Sequence, residues 1–196
     1  MTVNSSVNKQ FEKMFDIFNK EFFNAELEMP LFRLENHCSK DGAFISDAVI
    51  NQGEIYSHEI VIPINVLNEK VDVIAACVLH NMIHYYAYMN GYKVSSRGKR
   101  DDYYHSKQFK SIADFCGLTS KYNDKSGWTT HTNKKFAEFC KLYGFKKTWN
   151  NRYIVDKDTK INNSKKYVCP CCGTIIRATR FVNVVCEDCN EKFVIE

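Results

Sequence analysis

The stretch Val71–Gly91, VDVIAACVLHNMIHYYAYMNG, is apolar almost throughout, yet it carries His80 and His84 four positions apart. No proline interrupts it, so it reads as one buried helix, with Asn68 or Asp72 near its start and Gly91 as C-cap. At 3.6 residues per turn the two histidines lie about 40° apart on one face, one turn above the other. A single buried histidine is ordinarily a hydrogen-bonded core residue. Two at this spacing in an apolar helix would each need a partner, and one Zn²⁺ serves both. The spacing is that of the H-E-x-x-H zinc-hydrolase helix, with Asn81 where that motif has its Glu.

The flanking segments predict an α+β layer arrangement. Residues 8–25 repeat phenylalanine, methionine and isoleucine with helical period. LFRLE (31–35), DGAFISDAV (41–49) and HEIVIPINVL (58–67) read as three short strands, with Pro63 marking an edge strand or the strand's end. YKVSSRGKRDDYY (92–104) is polar and reads as a loop. HSKQFKSIADFCGL (105–118) reads as a helix closed by Gly117, with His105 at its start. His105 would complete a three-histidine site with one open position, the pattern of catalytic zinc. His37, His58 and His131 have no comparable context and read as ordinary surface or loop residues. A last helix is expected over 133–144, packing back on the domain.

The C-terminal thirty residues contain Cys169-x-x-Cys172 and Cys186-x-x-Cys189, separated by thirteen residues. Two such knuckles bind one tetrahedral Zn²⁺ in a β zinc ribbon. Cys171 leaves the first knuckle open to a second assignment, although spacing favours Cys172. So short a segment cannot bury enough apolar surface by itself, so metal binding would drive its folding. The total of nine cysteines is odd and four are scattered, which argues for a reducing, cytoplasmic compartment over a disulfide framework. No apolar run is long enough to span a bilayer, and residues 1–13 have no apolar signal region, so no membrane partner is expected. The chain thus divides into a domain at 1–144, a basic connector at 145–166 and a ribbon at 167–196.

Charge is placed unevenly. Residues 1–144 balance seventeen basic against seventeen acidic side chains, whereas 145–185 carry nine basic and two acidic. Lys146, Lys147, Arg152, Lys165, Lys166, Arg177 and Arg180 form the expected contact set for a polyanion, with Phe145, Trp149 and Tyr153 as rings that could stack on bases.

Taken together, VLHNMIHYYAYMNG, the later YYHSKQFKSIADFCGL and the C-terminal ribbon resemble the SprT-like family, over residues 8–196. The resemblance implies a zincin-like domain of helices with a small three-stranded sheet, followed by the ribbon. It also implies zinc-dependent peptide hydrolysis with His80, His84 and His105 as ligands, in several members coupled to DNA binding. The partner expected for this chain is nucleic acid, DNA including its single-stranded form. In that family the Glu after the first histidine serves as general base. Asn81 cannot exchange a proton near neutral pH, which leaves two readings. One is a metallopeptidase, impaired or retuned, that acts on DNA-associated protein. The other is a non-catalytic zinc protein that binds nucleic acid, or a protein on it, through the basic stretch and ribbon. Asp101, Asp102, Glu54 and Glu59 are carboxylates that could replace the missing base, though nothing in the sequence places them at the metal.

Overall fold

Helix α2 (Val71–Met89) is the centre of the N-terminal core because nearly every side of it is apolar. Ile74, Ala75, Cys77, Val78, Leu79, Met82, Ile83, Tyr85 and Ala87 are all buried. The computed structural model describes residues 5–36, 39–50, 55–97, 103–149, 165–178 and 182–195. They fall into two compact units, Met1–Ile154 and Val155–Glu196. Among the described residues, no helix is long and apolar enough to cross a membrane.

In the first unit, α1 (Ser5–Phe22) buries Val7, Phe11, Met14, Phe15 and Phe18 on one face and packs on α2. Three strands follow: β1 (Leu31–Glu35), β2 (Ala43–Ile50) and β3 (Ile55–Pro63). Their order is β1-β3-β2, with β1 parallel and β2 antiparallel to β3. Pro63 therefore marks a strand end and not an edge, since β3 is the central strand. The chain then makes a 3₁₀ turn, Ile64–Asn68, before α2. Lys70 occupies the N-cap of α2 without a side-chain cap bond, so neither Asn68 nor Asp72 caps it. The other end matches expectation. Gly91 is left-handed (φ 67), the Gly91 amide bonds to the Tyr88 carbonyl and the Tyr92 amide to that of Ala87, a Schellman closure.

The polar segment after α2 is not only a loop. It contributes β4 (Ser95–Arg97) and β5 (Tyr103–His105), which join β6 (Thr119–Asn123) and β7 (Gly127–His131) in a second sheet ordered β4-β5-β7-β6. Helix α3 (Lys107–Phe115) follows β5, with the Ser106 hydroxyl accepting from the amides of Gln108 and Phe109. Helix α4 (Lys134–Leu142) is capped by Asn133 and stacks Phe136 and Phe139 on Phe18.

Phe145 and Trp149, read from sequence as rings on a basic connector, belong to this core. Each is 5% exposed. Phe145 meets Phe18 edge-on at 5.4 Å, and the Trp149 indole donates to the Leu67 carbonyl at 3.1 Å. Burying both rings gains more than leaving them in water, so they are not available for base stacking.

The second unit forms a small antiparallel sheet from β8 (Lys165–Val168), β9 (Ile175–Ala178) and β10 (Val194–Ile195), ordered β10-β8-β9. Its described buried residues are Tyr167, Cys169 and Cys186.

Candidate metal centres

Three imidazoles meet in the first unit. His80 and His84 come from α2, and His105 is the last residue of β5, so the third ligand is delivered by a strand rather than a helix. One nitrogen from each lies within 4.8 Å of the others. His84 Nε2 and His105 Nε2 are 3.1 Å apart. Two ligands 2.0–2.1 Å from a tetrahedral zinc would be about 3.3 Å apart. His80 Nδ1 is 2.9 Å from the Thr130 hydroxyl on β7, which leaves its Nε2 for the cluster.

Phe109, fully buried on α3, holds the three rings in place. It stacks on His105 at 4.2 Å and on His84 at 5.0 Å, and meets His80 edge-on at 5.0 Å. Gly127 places His105. A Cβ on Gly127 would lie 2.3 Å from the His105 carbonyl oxygen, and its φ of 69° is one that side-chain-bearing residues avoid. Neither Phe109, Thr130 nor Gly127 carries a metal-ligand signature in sequence, although Phe109 follows His105 by one helical turn.

Burial lowers the proton affinity of all three histidines. His80 is held well below the ordinary range by burial and then by His84 and His105. His84 is lowered to about 3 by burial and then by His105. His105 is lowered by burial, partly offset by the charge of Asp41. Neutral imidazole is the form that ligates a metal, so the residues fit a metal ion.

Asn81, 1% exposed, has its amide committed elsewhere. Its Nδ2 donates to the Asp41 carbonyl at 2.8 Å and to the Cys77 carbonyl at 2.9 Å. Its Oδ1 is buried without a hydrogen-bond partner. Of the carboxylates named above, Glu59 is bound by Arg33 at 2.8 and 3.3 Å. Glu54, Asp101 and Asp102 lie outside the described residues, as does His37. His58 packs against Tyr85 at 4.7 Å. His131 lines a cleft beside His80.

A family model for the SprT-like family matches residues 11–134. The chain belongs to the SprT-like family. No curated protein and no solved structure gave a significant match to it. The SprT-like match spans α1 to the start of α4 and includes all three histidines.

The second cluster joins Cys169, Cys172, Cys186 and Cys189, whose sulfurs lie within 4.8 Å of one another. Cys172 and Cys186 Sγ are 3.7 Å apart, against about 3.8 Å for two thiolates 2.3 Å from a tetrahedral zinc. The two knuckles are the same turn used twice. The Gly173 amide bonds to the Cys169 carbonyl and the Cys169 amide to the Thr174 carbonyl. The Asn190 and Cys186 amides repeat this with the carbonyls of Cys186 and Glu191. Gly173 and Asn190, at matching positions, both have positive φ. The match makes Cys172 the counterpart of Cys189, while Cys171 stays exposed outside the cluster. Hydrogen bonds from the Thr174 hydroxyl and backbone, then from Cys169 and Cys189, pull Cys172 down to about 6. Cys189 is pushed up by Cys172 first. A cation would take the place of the protons shared among these sulfurs, since thiolate is the form that ligates a metal.

Of the proposed polyanion contacts, Lys146 and Lys147 are exposed after α4. Lys165 and Lys166 lie on β8 and Arg177 on β9. Arg152, Tyr153 and Arg180 fall outside the described residues.

Proposed function

We propose that the chain is a zinc protein of metallopeptidase type that acts on or at DNA-associated proteins, with peptide hydrolysis impaired or absent at residue 81. The convergence of His80, His84 and His105 within 4.8 Å carries this reading. A zinc ion held there supplies Lewis acidity toward a peptide carbonyl and toward water. Thr130 fixes the His80 ring, Phe109 packs on the buried imidazoles, and Asn81 cannot take a proton from water. Loss of general acid–base assistance costs ~10²–10⁴-fold in rate. The four cysteines would hold a second, structural zinc.

One observation favours a second reading, a non-catalytic nucleic-acid-binding zinc-ribbon protein. Lys166 stands directly across from Arg177 in the β8–β9 ladder. The pair sets two basic side chains on one face of that sheet, where phosphate oxygens would be attracted. Zinc analysis, combined with gel shifts on single- and double-stranded DNA, tests both parts. The expected result is two zinc ions per chain and retarded DNA whose binding weakens with salt. Unchanged mobility at low salt would remove nucleic acid. A single zinc that survives His84→Ala would remove the histidine site.

A further inference from the structure

We propose that Asp41 acts as the general base in place of residue 81, and that Asn81 is the residue that positions it. This rests on the zinc-peptidase reading above. Asn81 grips the peptide of Asp41 directly, Nδ2 to carbonyl at 2.8 Å, and the Cys77 thiol reaches the same carbonyl at 3.4 Å. Gly42 makes the approach possible. Its φ is 83°, and a Cβ there would stand 2.8 Å from Asn81 Nδ2 and 2.4 Å from the Val61 carbonyl oxygen. The Gly42 amide bonds back to the Ser39 carbonyl at 3.0 Å, closing the turn that carries Asp41. The turn is thus docked on α2 at the residue that follows the first histidine.

Asp41 then lines a cleft of about 600 Å³ together with His80, Thr130, His131, Lys40 and Lys121. It is the one carboxylate among that cleft's described lining residues, and it makes no ion pair among the described residues. Its charge acts on one ligand, His105, and on His131, and a second ligand, His80, shares the cleft with it. Lys40 and Lys121 are the opposing charges on the cleft walls.

In the proposed step a water proton passes to the Asp41 carboxylate as the water oxygen bonds to the peptide carbonyl carbon. The C–N bond then breaks, and Asp41 returns the proton to the leaving amine. One water is consumed, and one carboxyl and one amine are released.

Asp41→Asn separates this role from a structural one, because Asn81 holds the backbone carbonyl and that bond survives the substitution. The full chain, Asp41→Asn and Asp41→Glu are loaded with zinc for casein cleavage. Cobalt-loaded samples of the same proteins are followed by visible absorption across pH, with metal content measured on every sample. The expected result is measurable cleavage by the unaltered chain, a loss of roughly 100-fold in Asp41→Asn and partial retention in Asp41→Glu. The spectral midpoint should fall by about one pH unit in Asp41→Asn, since removing a nearby negative charge favours loss of a proton. Equal rates and equal midpoints in the unaltered chain and Asp41→Asn would overturn the assignment. So would a metal-loaded, unaltered chain that cuts nothing. Failure to take up metal at the histidines would instead show in the metal content, and would overturn the underlying reading together with this one.

Discussion

The two metal-ligand clusters are of similar size, each with ligand atoms inside 4.8 Å, but they are held in opposite ways. The histidines sit in a large core. Phe109 and the side chains of α2 around them are fully buried, and Thr130 and Gly127 fix the rings and backbone from a second sheet. The cysteines sit in a unit whose described buried residues are Tyr167 and two of the ligands themselves. One site is built by packing and then offered to a metal. Among its described residues, the other has little to pack around except a metal the cysteines would hold. The chemistry follows from this difference: preorganised neutral imidazoles suit a site with an open position, and a closed set of thiols suits a structural ion.

The largest effect expected from this contrast is in the ribbon. Cys186→Ser should remove one zinc and unfold residues 165–195, because metal binding supplies about 10–16 kcal/mol to such modules. An NMR spectrum in which the first unit's signals are unchanged and the ribbon's collapse would be the signature. Next in size is Phe109→Ala, which should cost the first unit about 3–5 kcal/mol in urea unfolding and weaken its metal retention. Asn81→Glu follows. A carboxylate cannot donate to the Asp41 and Cys77 carbonyls, so a loss of about 1–3 kcal/mol is expected in the same assay. A variant as stable as the parent would show that the amide bonds contribute little. A pH effect of comparable size is expected on the metal-free first unit. His84 titrates near 6.5 when unfolded and at about 3 when folded. Its neutral, buried form therefore contributes stability that is fully present above 6.5 and lost as pH falls toward 3. Thermal unfolding between pH 7 and 4 should show that decline, and a flat profile would place the ring in water.

The spacing of His80 and His84 and of the two cysteine knuckles was readable, because ligand geometry within one turn is imposed by short-range periodicity. His105 was readable as the third ligand, but at the start of a helix rather than the end of β5. So were α1, α2, α4 and the first three strands, whose apolar patterns are strong. The second sheet was not. SSR, YYH, TSKYN and GWTTH are short and polar, and they pair only because α3 and Gly127 bring them together. Phe145 and Trp149 misled in the opposite direction. Their basic neighbours suggest a surface, but their partners, Phe18 and Leu67, are far away in sequence. The Asn81–Asp41 contact joins positions 40 residues apart and has no local signal at all.

Hydrogen exchange of the unaltered chain, with and without a zinc chelator, tests the contrast most directly. On chelation, residues 165–195 should lose protection completely while α2 and α3 keep theirs. Loss of protection in α2 and α3 on chelation, or a ribbon still protected without metal, would contradict it.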